Sequence, residues 1–556
     1  MKNTALLLLL TWFSLPTTPL TADSRLDSVY APVVVGIPPC DAYIGLSLMP
    51  DGEIRHYNYG AQPDRPTPGY LSSRDHGFSW KRMSLPPELP YADQRSPISG
   101  EYIRLFCTDN GVYALRTEGG LEGGRTITRI DNRPGIMNKP PLFIRGGKRI
   151  LSGAHRTDRS GAYVYYSDDD GRTWKASAQV TVPLHRKGGW HQGVRWNHGA
   201  VEPTIAELAD GRLWMIMRTS QDRHYQSFSH DGGATWTPAT PSPFYGTITM
   251  PTLYRMADGR LLFFWSNTTP LPELARADGV WEDVFTNRDA AHVAISADDG
   301  RTWSGFRELL LSPERNSHHY QAPADKSVHQ VQAVEVAPGK MLVAVGQNPE
   351  CRRLLLFDVN WLNEPRRSCD FTNGLEDWSA FRYYKGITGH CCYNRQAQPL
   401  LVPHPDRPGQ RVLRLGYTRN DSLVQDNDGA VWNFPAARNG ELIMRLQIPE
   451  KAARVHLILN DRWFNPTDSV ARHECMYTLP LTRNRLQISD NGWHHLRILW
   501  QQNRPAQLYV DGKKRATLPV ICPTEHGPSY LHLLGEPVPA DEGVHIEFVE
   551  AGKVLL

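Results

Sequence analysis

The chain has 556 residues, a formal net charge of +3 and a hydrophobic fraction of 40%. This length is too great for one compact core and leaves room for about two to four domains. Because basic and acidic residues are interspersed, the charge pattern argues against nucleic acid or a membrane surface as the main partner. Short apolar runs, frequent turn dipeptides and abundant Gly, Pro, Trp and Tyr predict an all-β protein.

Residues 1–22 are typical of a secretory signal peptide. Lys2 precedes an apolar run from Ala5 to Leu15, and Leu20-Thr21-Ala22 supplies a cleavage site before Asp23. The run is too short to cross a bilayer. We therefore expect a secreted or periplasmic protein without membrane insertion.

The cysteines leave the disulfide question open. Their even number permits disulfides in an exported chain, but spacing does not fix a pairing, and buried thiols are the alternative. No CxxC or HExxH spacing occurs, so we expect no metal site and no cofactor. The eight positions are Cys40, Cys107, Cys351, Cys369, Cys391, Cys392, Cys475 and Cys522.

Six strand–turn–strand units follow one another between Val33 and Trp361. A propeller blade has four short strands, and about 55 residues per unit suits it. We therefore predict a six-bladed β-propeller over residues 23–362, with five blades as the nearest alternative. The units lie at residues 44–52, 102–115, 144–151, 202–218, 253–265 and 331–345.

The fourth unit carries a carboxylate and a guanidinium at one end. Its apolar runs, Thr204–Leu208 and Leu213–Met217, flank the turn tripeptide Ala209-Asp210-Gly211, which predicts a hairpin. Glu202 begins the first strand and Arg218 ends the second. Antiparallel pairing returns both side chains to the same end of the sheet, where we expect part of a functional site.

One octet recurs four times in this region. Its Asp accepts backbone N–H bonds, its Gly supplies positive φ and its Trp packs under the loop, so we interpret it as a structural turn and not as a catalytic or calcium-binding element. The octets resemble the Asp boxes of sialidase-like BNR-repeat propellers, which lie far from the active site. The copies are Ser73–Trp80, Ser167–Trp174, Ser229–Trp236 and Ser296–Trp303.

Residues 363–556 alternate apolar and polar positions again. Gly492–Trp500 and Gln507–Gly512 predict two strands and a turn. This pair resembles laminin-G and concanavalin-like sandwiches, which bind sugar or support a neighbouring domain. We predict a β-sandwich (jelly-roll) and favour the supporting role.

The resemblance to sialidases extends to their site motifs. In that family three arginines hold the substrate carboxylate, a Glu activates a Tyr nucleophile, and an Asp is the acid/base. The family's Glu and second Arg are matched by Glu202 and Arg218, in a motif that this chain reproduces in register. The third Arg is matched by Arg288, eight residues before Ser296, and Asp64 lies near the place of the acid/base Asp.

The chain departs from the family pattern in two places. Residues 41–45 stand where the first arginine belongs, and that arginine is missing. His329 takes about the position of the nucleophilic Tyr, and an imidazole suits acid/base work better than a glycosyl intermediate. Tyr43, His155 and Arg156 flank predicted strand ends and are further substrate-binding candidates.

The resemblance implies a secreted glycoside hydrolase that acts on a terminal carboxylated sugar of an acidic oligosaccharide or polysaccharide. Glu202, His329 and Asp64 would be catalytic, and Arg218 and Arg288 would hold the substrate. A polysaccharide lyase that removes the C5 proton of a uronate with His329 or a nearby Tyr is one alternative. A non-catalytic carbohydrate-binding propeller is the other. The sequence leaves the sugar, the linkage and the oligomeric state open.

Overall fold

The structure, a computed structural model, describes residues 24–37, 44–59, 70–83, 94–117, 124–137, 139–186, 195, 199–270, 288–317, 327–346, 351–387, 393–397, 400–416, 428–536 and 542–554. These residues include two short α-helices, α1 (Ser24–Ser28) and α2 (Arg483–Leu486), and 40 strands. This confirms the all-β class. No helix in the described part of the chain is long and apolar enough to cross a membrane.

Six antiparallel sheets form the blades of a propeller, which confirms the predicted number. Blade 1 contains β2 (Ile44–Leu48), β3 (Ile54–Tyr59), β4 (Tyr70–Ser73) and β5 (Lys81–Met83). Blade 2 contains β6 (Gln94–Arg95), β7 (Tyr102–Thr108), β8 (Gly111–Thr117) and β9 (Arg125–Asp131). Blade 3 contains β10 (Gly135–Ile136) and β11 (Leu142–Ile144), which both pair with β12 (Arg149–Arg156), then β13 (Ala162–Ser167) and β14 (Lys175–Ala176).

The other three blades follow the same order. Blade 4 contains β15 (Val201–Glu207), β16 (Leu213–Arg218), β17 (Arg223–Ser229) and β18 (Thr240–Tyr245). Blade 5 contains β19 (Thr252–Arg255), β20 (Leu261–Trp265), β21 (Ala290–Ser296) and β22 (Ser304–Leu311). Blade 6 contains β23 (Gln332–Ala337), β24 (Lys340–Val345), β25 (Arg353–Asp358) and, as its outer strand, β1 (Val33–Gly36) from the start of the propeller.

The innermost strands surround a central channel of about 470 Å³. Every blade contributes to its lining, with residues that include Ser47, Gln94, Phe143, Ile205, Tyr254 and Ala333. The middle strands are covered on both faces by neighbouring blades. For this reason β16 and β20 are buried at every position, and their sequences are continuous apolar runs rather than alternating ones.

The four octets form the same turn. In each, the Asp carboxylate accepts the backbone N–H and the hydroxyl of the Ser or Thr four residues later, at 2.8–2.9 Å and 2.5–2.8 Å. The Trp indole N–H donates to the Gly carbonyl at 2.8–3.2 Å. These local bonds confirm the predicted structural role.

The C-terminal part is a sandwich of two sheets. The larger sheet contains β26 (Arg366–Cys369), β30 (Leu400–Pro403), β31 (Arg411–Leu415), β33 (Gly440–Gln447), β36 (Trp493–Trp500), β37 (Ala506–Val510), β38 (Lys513–Leu518) and β40 (Val544–Lys553). The smaller contains β27 (Trp378–Ser379), β32 (Gly429–Asn433), β34 (Val455–Asn460), β35 (Tyr477–Leu481) and β39 (Tyr530–Gly535). A separate hairpin pairs β28 (Phe381–Ile387) with β29 (Tyr393–Ala397). Apolar side chains from both sheets share one core, and the predicted strand pair is present as β36 and β37.

Polar side chains join the sandwich to the propeller. The Tyr530 hydroxyl of β39 donates to the Glu308 carboxylate of β22 at 2.8 Å and lies 2.5 Å from His292 Nε2 of β21. Burial raises the pKa of Glu308 to about 7. Asn433 Nδ2 donates to the Phe306 carbonyl at 2.9 Å. The two parts therefore meet through directional bonds, and not through apolar contact alone.

Candidate functional site

The two ends of the propeller ring carry different residues. First and third strands of a blade run in the same direction, and the octets begin at the ends of third strands β4, β13, β17 and β21. Glu202 lies at the start of a first strand and Arg218 at the end of a second. Arg288 precedes a third strand, and His329 precedes a first strand. These four residues therefore share the end of the ring opposite the octets.

A β-bulge positions Glu202. Between the Val201–Arg218 and Thr204–Ile216 pairs, β15 has two residues and β16 has one. Glu202 occupies the bulge with φ of 48°, in the left-handed region that residues other than Gly rarely adopt. Such bulges redirect side chains and are enriched at functional sites, where the surrounding structure offsets their strain.

The Glu202 carboxylate is buried and ionised. It accepts a hydrogen bond from Arg218 Nη1 at 2.9 Å, and the two residues are 9% and 5% exposed. Burial raises the pKa of Glu202, but Arg218, His155 and Arg288 together outweigh burial and leave that pKa below its usual value. A base at this position would hold its charge well into the acid range.

His155 fixes the backbone of the same residue. Its Nδ1 accepts the Glu202 N–H at 3.1 Å, and burial lowers the pKa of His155 to about 4. The ring is therefore neutral near pH 7, and its proton must reside on Nε2. His155 positions Glu202, as a hydrogen-bonded partner from the adjacent blade.

Arg288 and His329 lie on neighbouring segments. Both are fully buried. Arg288 Nη2 donates to the Ile248 carbonyl, and the Arg288 carbonyl accepts the Val328 N–H at 3.0 Å. His329 follows at once, and its carbonyl accepts the Gly346 N–H at 3.3 Å. A backbone hydrogen bond thus joins the segment before β23 to the segment before β21, so His329 and Arg288 lie in one region.

Lys139 joins this region, although no sequence pattern singles it out. Its Nζ lies 2.5 Å from Thr252 Oγ1, so the side chain reaches from blade 3 to blade 5, past the blade that carries Glu202. It also lines the central channel. Burial lowers the pKa of Lys139 to about 7, against the opposing effect of the Glu202 charge. An amine of variable charge therefore lies at the mouth of the channel.

Several cationic side chains interact with the Glu202 carboxylate. Burial lowers the pKa of Arg159 to about 10, and the charge of Arg218 lowers it further. The charges of Arg159, Arg218, Arg288 and Lys139 thus all interact with the Glu202 carboxylate. An anion bound here would relieve the repulsion between these cations.

Arg156 belongs to a different cluster. Its Nη1 lies 3.4 Å from Asp131 Oδ2, and its guanidinium lies 3.9 Å from the Tyr163 ring centre. The structure therefore brings His155 to Glu202 but directs Arg156 toward blade 2. Tyr43 and Asp64 lie outside the described residues. Among the described residues, no group of three His, Cys, Asp or Glu side chains is arranged to hold a metal ion.

Comparison with known proteins gives a family match to part of the chain. A protein of unknown function from Dyadobacter fermentans is 17% identical, with a TM-score of 0.36, and the match covers 59% of this chain and 97% of that one. A sialidase from Trypanosoma rangeli is 13% identical, with a TM-score of 0.32 over 95% of this chain and 92% of that one. These similarities are too low to argue about chemistry. No curated protein matches the chain. Residues 125–322, which run from the last strand of blade 2 through blade 5, match the BNR repeat-like domain family.

Proposed function

We propose that this chain is an exported glycoside hydrolase of sialidase-like type that acts on a terminal carboxylated sugar. One observation carries the proposal. A buried, ionised Glu202 in a strained bulge is paired with Arg218 and surrounded by further cations, at the end of the ring opposite the octets. Backbone strain of this kind is concentrated at functional sites.

The guanidinium groups suit the carboxylate of such a sugar. A guanidinium offers five N–H donors in a planar fork, so Arg218 can hold Glu202 and a second carboxylate at once. Arg288 supplies a second guanidinium on the adjacent blade, and its charge already reaches Glu202. Two such groups favour an acidic sugar over a neutral one.

The acid/base roles are assigned to Glu202, His329 and Asp64. Glu202 is charged at neutral pH and is suited to accept a proton from water or to orient a neighbouring base. His329 enters the same region beside Arg288, and an imidazole nitrogen can accept or donate a proton in acid/base catalysis. Asp64 enters the proposal on sequence resemblance alone.

The decisive experiment offers the full-length protein a panel of sialosides and uronate-capped oligosaccharides. Hydrolysis is expected to release a free keto-acid sugar or uronic acid. Glu202→Gln and His329→Ala are each expected to abolish this release. Glu207→Gln is the matched control, because Glu207 ends the same strand at the opposite end of the ring.

Other outcomes would support the alternatives. Ultraviolet absorbance from an unsaturated uronate would identify a lyase, for which Lys139 is an additional candidate base because its pKa lies near 7. Binding without any product would identify a carbohydrate-binding protein. Full activity in both Glu202→Gln and His329→Ala would contradict the site assignment even if the reaction were hydrolysis.

Export and the role of the sandwich complete the proposal. We expect cleavage after Ala22, so that mass spectrometry of the mature protein finds Asp23 first. A supporting role for the laminin-G-like sandwich is favoured by its polar contacts with blade 5, such as the Tyr530–Glu308 bond. Glycan binding by a full-length protein that carries both Arg218→Ala and Arg288→Ala tests this role, because these changes remove the proposed carboxylate-binding groups of the propeller, and no residual binding is expected.

A further inference from the structure

Cys475 and Cys522 face each other on two neighbouring segments of the sandwich. The Cys522 N–H donates to the Cys475 carbonyl at 3.0 Å, and the Ile521 N–H donates to the Met476 carbonyl at 3.0 Å. The segments therefore run antiparallel with the cysteines opposite. Opposite residues have Cα atoms about 4.5–5.5 Å apart. This range lies within the roughly 4.4–6.8 Å that disulfides span.

The two sulfur atoms point toward one turn. Cys475 Sγ lies 3.4 Å from the Arg472 carbonyl oxygen, and Cys522 Sγ lies 3.4 Å from the His473 carbonyl oxygen. These carbonyls belong to consecutive residues, so the sulfurs share one small region. Burial raises the pKa of Cys475 to about 12, and the negative charge of a Cys522 thiolate raises it as well.

The pair lies where two segments lead to the propeller. Cys475 ends the segment that carries Trp463, which forms a backbone bridge to the propeller. Cys522 begins the segment that leads to His526, whose ring stacks on Phe306 of β22 at 3.6 Å between centres. A covalent bond between the cysteines would hold both contact segments together.

We propose that Cys475 and Cys522, which are thiols in this structure, form a disulfide when a small-molecule disulfide such as oxidised glutathione is present. The more exposed Cys522 thiolate attacks one sulfur of the oxidant and releases one thiol. The Cys475 thiolate then displaces the second thiol from the mixed disulfide. The protein loses two protons and two electrons, and the oxidant is reduced to two thiols. This site is independent of the proposed carbohydrate chemistry.

The test uses the full-length protein, reduced and then treated with oxidised glutathione. Non-reducing alkylation and peptide mapping are expected to find a linked peptide that contains Cys475 and Cys522. Because burial raises the pKa of both thiols, the bond should form faster as the pH is raised from about 7 to 9. Adding reductant should lower the melting temperature by several degrees, since a disulfide restricts the unfolded chain.

Variants separate this pair from the other thiols. Cys475→Ser and Cys522→Ser are each expected to lose the linked peptide and the sensitivity of melting to reductant. Cys369→Ser is the control and should retain both, because its Sγ contacts the Trp378 indole elsewhere in the sandwich. Alkylation of both cysteines as thiols after oxidation at alkaline pH, or a link to a different cysteine, would overturn the proposal. The peptide map of the unaltered protein decides this even if a variant fails to fold.

Discussion

The carboxylates at the two ends of the propeller are stabilised in different ways. At one end, four octets repeat the same turn, and each Asp is satisfied by bonds within its own eight residues. At the other end no unit repeats among the described residues. Glu202 there depends on Arg218 from the next strand, His155 from the adjacent blade and the charge of Arg288 from another.

This difference separates the residues that hold the ring from those that we propose serve its chemistry. Burial tends to raise the pKa of the Asp231 carboxyl, but local hydrogen bonds lower it to about 2. Burial destabilises the charges of Lys139 and Arg159 at the other end. The repeated turns thus satisfy their charges with residues close in sequence, whereas charged groups at the other end depend on partners from several blades.

The largest expected effect comes from Glu202→Gln. The change keeps the shape but removes the charge that Arg218 and a reacting water would use, so kcat/KM on the acidic substrate should fall about 1,000-fold or more. Glu207→Gln, at the octet end of β15, should stay within about twofold. Steady-state kinetics measure both variants. Equal kcat/KM values for the two would contradict the placement of the functional site at the Glu202 end.

Arg218→Lys should weaken recognition of the substrate carboxylate. An ammonium cannot form the paired bonds of a guanidinium, so KM should rise by about 10–100-fold for a carboxylated sugar. Arg212→Lys is the matched control, because Arg212 precedes the same strand and pairs with Asp210 at 2.8 Å at the other end. Steady-state kinetics of wild type and both variants on the same sugar make the comparison, and equal KM values would contradict the role of Arg218.

Lys139→Met should change the pH dependence of binding. The pKa of Lys139 is lowered to about 7, so the amine is charged below this pH and neutral above it. Affinity of the unaltered protein for an anionic sugar should therefore fall as pH rises through about 7, by about tenfold or 1.4 kcal/mol. The variant should lack this step, whereas Lys148→Met, in the exposed turn before β12, should keep it. A step that persists in Lys139→Met would assign the titration to a different group.

Asp231→Ala should have the smallest effect on activity. Loss of the octet's charged hydrogen bonds should lower the free energy of unfolding by about 1–3 kcal/mol, with kcat/KM nearly unchanged. Because the folded pKa is lowered to about 2, the stabilising effect of Asp231 is present above about pH 3.8 and is lost as pH falls through 2. Denaturant melts at neutral and acid pH test this, with exposed His230→Ala as control. A large activity loss in a folded Asp231→Ala would show that the octet end also serves function.

Local patterns explain why much of the fold could be predicted. The octets and the Glu202 hairpin depend on residues close in sequence, so turn chemistry and strand periodicity reveal them. The Lys139–Thr252 contact joins residues from different blades and leaves no periodic signal. Arg156 flanks a predicted strand end, as expected, but its direction is set by Asp131 of another blade. The bulge at Glu202 depends on strand register, which a single sequence does not specify.

Strand β1 has a consequence for how this chain is made. It is among the first segments of the propeller to be synthesised, yet its partner β25 comes about 300 residues later. During synthesis the intervening sheets can form one after another. The propeller cannot close, however, until β25 has emerged and can pair with β1. Deleting residues 33–36 should therefore spare early sheet formation and block the last, slow step, leaving an exposed edge that favours aggregation.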